Sequence, residues 1–181
     1  MSGDITNAGE RLRLIQDYFL APGGGAPRAE RTARATEPAA AIRLDVYDHM
    51  MQTVQEVTDL AQELRADDAP CVPPAHQRRD VYEWLVEKTD HLSPARQQAR
   101  DALIYRQGLE HALVMGEANV IRRHPCPSCT TWGLMWDSDA QRARCTNLRC
   151  VDDDGRPATW TLAQIAEHHV ARRNSRAARA T

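Results

Sequence analysis

The sequence predicts a mostly α protein, with a helical N-terminal and central region, then a small four-cysteine ribbon built on a short β-hairpin, then a C-terminal helix. Three observations carry this. Apolar residues recur at helical spacing over 8–20, 41–66, 76–90 and 93–115. Only one Phe occurs in 181 residues while Ala is abundant, so any core outside the cysteines is built from Leu, Val, Ile, Met and Ala. Four of the five cysteines fall between positions 126 and 150, in two close pairs.

Residues 1–20 are expected to hold a short N-terminal helix, because Leu12, Ile15 and Phe19 share one helical face before Pro22. Residues 21–40 contain three prolines, three consecutive glycines and no large apolar side chain, the composition of a flexible linker. A helical domain is expected over 41–119. Its first helix, 41–66, runs without Gly or Pro and aligns Met50, Val54, Val57, Ala61 and Leu64 in alternating steps of four and three. Such a seam serves either intramolecular packing or self-association. Prolines between 67 and 75 break it and leave Cys71 in a turn, an ordinary thiol with no neighbour to activate it. A helix over 76–90 follows, through Val81, Trp84 and Leu85. Ser93-Pro94 then marks a new helix start, and Ala99, Leu103, Arg106 or Gln107, Glu110 or Leu109, and Leu113 would share one face before Gly116 ends that helix. His49, His76, His91 and His111 form no paired ligand motif and read as surface histidines.

Residues 120–172 should form the ribbon and its helix. Cys126 and Cys129 stand in C-P-S-C, and after fifteen residues Cys145 and Cys150 stand in C-T-N-L-R-C. Two thiolates on one tight turn can converge on a cation, and two such turns joined by a hairpin close a tetrahedron suited to zinc, one ion per chain. The insert supports the hairpin: Trp132, Leu134 and Trp136 alternate, Asp137-Ser138-Asp139 turns, and Arg142 and Arg144 lie on the return. The second pair has four intervening residues, and Thr130 stands where a glycine commonly follows the second cysteine. His124, His168 and His169 lie near, but four cysteines already complete the shell. Thr161 with Gln164 reads as a capping box for a last helix through Leu162 and Ile165, and 173–181 as a frayed basic tail.

The C-P-x-C turn, the W-G-L-x-W strand at 132–136, the C-x-N-x-x-C turn and the T-W-T-L-A-x-I-A-E-H-H stretch at 159–169 resemble small zinc-ribbon proteins of actinobacteria and their phages. The resemblance extends over about residues 80–170. It implies the same four metal ligands and a bacterial or phage source; that group carries no established reaction to transfer.

Net charge is −2, but it divides unevenly: −5 over 1–70, −1 over 71–119 and +4 over 120–181. The basic end suggests association with nucleic acid, with Arg142, Arg144, Arg149, Arg172, Arg173 and Arg176 on phosphates and Trp132 or Trp136 stacking on a base. The acidic first third, which would repel a polyanion, suggests instead an adaptor whose helices bind a protein partner. No paired carboxylates, phosphate loop or nucleophile motif points to an enzyme. Without an apolar span or secretory leader, the chain is expected to be cytoplasmic and free of membrane.

Overall fold

In a computed structural model of the chain, residues 2–20, 44–65, 72–73 and 80–180 are described. The linker at 21–40, Cys71 and His76 lie outside them. The helices are α1 (Ser2–Leu20), α2 (Leu44–Arg65), α3 (Val81–Thr89), α4 (Pro94–Val114) and α5 (Leu162–Arg179), with a 3-10 helix over Ala118–Arg123. Strands β1 (Met135–Asp137), β2 (Arg142–Arg144) and β3 (Thr159–Trp160) form one antiparallel sheet in that order. None of the described helices is long and apolar enough to cross a membrane.

The first four helices close over a core that contains Leu12, Ile15, Val57, Leu85 and Ile104. The α2 seam points inward: Met50, Val57, Ala61 and Leu64 are buried, with Val54 partly so. Helix α1 lies against α4, where small residues let the two backbones approach; a Cβ built on Gly108 would stand 3.4 Å from the Ala8 Cβ. Gly116 takes φ +82 just past the end of α4, the left-handed geometry that terminates helices at glycine.

Helix α4 keeps much of the expected face, with Gln107 and Leu109 buried and Leu103 and Leu113 partly so, but Ala99 is exposed and Arg100 and His111 are fully buried in addition. Polar residues hold these positions through partners on neighbouring residues, although Gln107 Oε1 finds no hydrogen bond among the described residues. Arg100 Nε donates to Asp101 Oδ1 at 2.9 Å and Nη1 to Thr89 Oγ1 at 3.3 Å. His111 sits between His49 Nε2, 2.8 Å from its Nδ1, and the Tyr82 hydroxyl, 2.7 Å from its Nε2. Burial drives its pKa down to about 3, so the ring is neutral, one nitrogen donating and the other accepting. His111 is therefore interior, not the surface histidine its spacing suggested, and His49 is half-buried with it.

Helix α5 runs along α4. Thr161 and Gln164 cap it reciprocally: the Gln164 amide donates to Thr161 Oγ1 at 3.2 Å, and the Thr161 amide to Gln164 Oε1 at 2.9 Å. The helix continues to Arg179 instead of fraying at 173. Val170 is buried beneath it, and Arg173 is bound by Asp4 Oδ2 at 2.6 Å and Asp101 Oδ2 at 2.5 Å, which ties α5 to α1 and α4.

Candidate metal centre

The four cysteines arrive from two turns. In the first, the Thr130 amide donates to the Cys126 carbonyl and the Cys126 amide to the Thr131 carbonyl, both at 2.9 Å. Closing this turn puts Thr130 at φ 60, a left-handed conformation that a β-branched residue resists. In the second, the Cys150 amide donates to the Asn147 carbonyl at 2.9 Å, and Asn147 Oδ1 accepts from the Arg149 amide at 3.0 Å. These bonds accommodate the four-residue spacing. The second turn is fastened to β3's approach at both ends, with the Cys145 amide on the Ala158 carbonyl and the Ala158 amide on the Cys150 carbonyl, each 3.0 Å.

The sulfurs of Cys126, Cys129, Cys145 and Cys150 all lie within 4.8 Å of one another, so they could hold one metal ion. Cys126 Sγ is 3.8 Å from Cys150 Sγ, and Cys129 Sγ is 3.6 Å from Cys145 Sγ. A tetrahedron of thiolates at about 2.3 Å from a central ion has edges of about 3.8 Å, so the donor set fits such an ion. The Asn147 amide points at Cys145 Sγ from 3.4 Å, a bond that favours the thiolate. Hydrogen bonds from Thr131 draw the Cys129 thiol down to about 6, whereas burial raises Cys145 to about 12 and Cys150 above its ordinary value. Four thiolates packed this closely need a cation to balance their charge.

His124 is no ligand here. Its Nε2 meets the Tyr105 hydroxyl at 2.7 Å and its Nδ1 the Ile121 carbonyl at 3.2 Å, so both ring nitrogens are occupied. Tyr105 also stacks on His169 with ring centroids 3.9 Å apart. This aromatic group joins the first cysteine turn to α4 and α5.

The tentative contact residues divide among three places. Trp132 is 62 % exposed and lies with Arg172, Arg173 and Arg176 along a crevice of about 240 Å³ between the first cysteine turn and α5. Trp136 is half-buried and belongs to a different crevice of about 680 Å³, where Glu56 and Glu110 also stand. Arg142, Arg144 and Arg149 line neither; Arg142 Nε donates to Thr159 Oγ1 at 3.0 Å within the sheet. Arg173 is already paired with two carboxylates. The sequence reading missed Arg123, which joins the first crevice; its signal was the basic pair directly before His124-Pro125. No family model matches this chain, and neither a curated protein nor a solved structure matches it. The resemblance to actinobacterial and phage ribbons rests on the quoted motifs alone.

Proposed function

We propose that this chain is a zinc-stabilised, non-enzymatic protein that associates with nucleic acid. Zinc is the ion that four soft thiolates at tetrahedral spacing suit best. A shell completed by four cysteines leaves no open position for a reacting water, which favours a structural role over a hydrolytic one. Zinc would hold the two turns together and, through them, set Trp132 and Arg123 in place.

The observation that carries the nucleic-acid reading is the crevice where exposed Trp132 stands beside Arg123, Arg172 and Arg176 with no carboxylate in its lining. Polyanions bind such surfaces by releasing counterions, and a planar side chain adds contact with bases. The test is a salt titration of binding to random-sequence DNA. Three arginine–phosphate contacts predict that log K falls against log salt with a slope of about −2 to −3. No measurable binding at low salt would contradict the reading.

The adaptor reading is favoured by one feature, the exposed Tyr47 and Met51 one turn apart on α2. It becomes the better account if DNA is not bound at any salt and Tyr47→Ala with Met51→Ala abolishes a protein interaction.

A further inference from the structure

We infer that the Trp132 crevice is a single-strand site: it takes an unpaired base on the indole face, with the strand's phosphates along Arg172 and Arg176. This rests on the nucleic-acid reading above and names the form of nucleic acid. It starts from a contrast between two crevices. The larger one, beside Trp136, has Glu56 and Glu110 in its wall and a single arginine, Arg106, already paired with both, which leaves no free cation for phosphate among the described residues of that lining. The smaller one, about 240 Å³, is lined by Arg123, Arg172, Arg173 and Arg176 and by no acidic residue.

The two walls have different chemistry. One is the first cysteine turn, where Trp132 pairs with Pro125 through a backbone bridge, so the cysteine turn between them fixes the backbone from which the exposed indole projects. The other is α5, where Arg172 and Arg176 lie one turn apart, about 6 Å along the axis. Arg173 is held by Asp4 and Asp101, so it anchors the wall and leaves phosphate contact to its neighbours.

The exposed indole selects the form of the ligand. In a duplex each base buries both faces in the stack and offers a protein only its edges and backbone, so paired DNA would use the arginines and leave Trp132 idle. An unpaired base can lay its face on the indole, a contact that tolerates any base because all have a π-face. Single strands should therefore gain an increment that duplexes do not.

The test uses the full-length, zinc-loaded protein and measures fluorescence anisotropy of a labelled oligothymidylate and of a random-sequence duplex at the same low salt. The expected result is tighter binding of the single strand, with Trp132→Ala weakening it about tenfold. Trp132→Phe should retain most of the affinity, and the duplex should respond to neither change. Arg172→Ala with Arg176→Ala should weaken both ligands. Photocrosslinking of a 5-bromouracil oligonucleotide to the unmodified protein gives a readout independent of any variant's folding, with the adduct expected on the Trp132 peptide. Equal affinity for both ligands, an unchanged Trp132→Ala, or adducts only outside the crevice would overturn the single-strand site while leaving nucleic-acid association standing. Binding of neither ligand would overturn both.

Discussion

The helical body and the ribbon solve the problem of staying folded in different ways. Helices α1 to α4 enclose Leu12, Ile15, Val57, Leu85 and Ile104, large side chains contributed by every helix of the group. The ribbon's hairpin brings Leu134 and Ala143 to its own core, with Trp136 packed partly against them. Its remaining packing is borrowed, with Leu109 from α4, Ile121 from the 3-10 helix and Ile165 from α5. Apolar burial dominates the first region, whereas the second has a small core, four cysteines that could hold a metal ion, and helices to lean on. Packing crosses the boundary expected near residue 120 through Leu109, Tyr105 and Arg173.

The sharpest way to separate the two is to remove a ligand. Cys126→Ser should take bound metal from one ion per chain to none by elemental analysis, with a loss on the order of 10 kcal/mol of ribbon stabilisation. Far-ultraviolet circular dichroism of the same variant should keep most of its helical signal. Metal retained at full stoichiometry would show that the remaining three sulfurs suffice.

Striking the other region should do the reverse. Leu12 is wholly buried between α1 and its neighbours, and Leu12→Ala should cost about 2–5 kcal/mol in denaturant unfolding. Metal content should stay at one per chain. Loss of metal in this variant would mean that the ribbon cannot form without the complete helical body.

A smaller effect is expected where the regions meet. Burial raises Glu110 to about 7, and Arg106 Nη1, 3.4 Å away, only partly offsets this. The folded state then keeps a proton that the unfolded chain releases near 4.5, so this contribution is present at low pH and is lost as pH rises from about 4.5 to about 7. Glu110→Gln should flatten that decline and raise stability at pH 8 by on the order of 1 kcal/mol, read as a higher Tm. A Tm at pH 8 equal to or below that of the parent would show that the Arg106 pairing outweighs burial.

Within the ribbon, Thr130→Gly should relieve the φ 60 conformation and stabilise the metal-bound form by about 1 kcal/mol or less, since glycine also gains freedom when unfolded. A competition titration against a chelator would register this as slightly slower metal loss. Faster loss would mean that the Thr130 side chain contributes something the backbone argument omits.

These contrasts also explain what could be read from the sequence. The cysteine turns were legible because thiolate spacing is a local property, and the α5 cap because Thr161 and Gln164 are three residues apart. The α2 seam was legible in its periodicity, though only the fold shows that it packs on α1, α3 and α4. The interior of α4 was legible only in part. Arg100 and His111 look like surface residues until Thr89, Tyr82 and His49 arrive from other helices to bond them. The crevice was half legible: Trp132 and Arg172 were named as candidates, but forty positions separate them, and no spacing rule joins them to Arg123.

The central claim is that a single metal ion folds the ribbon while apolar packing holds the helices. A chelator titration of the metal-loaded protein, followed at once by tryptophan fluorescence and by far-ultraviolet circular dichroism, tests it most directly. Trp132, Trp136 and Trp160 belong to the ribbon and Trp84 to the helical core, so fluorescence should shift in step with metal loss while helicity falls only by what α5 gives up. Loss of the whole helical signal in that same step would contradict the account and make ribbon and helices one cooperative unit.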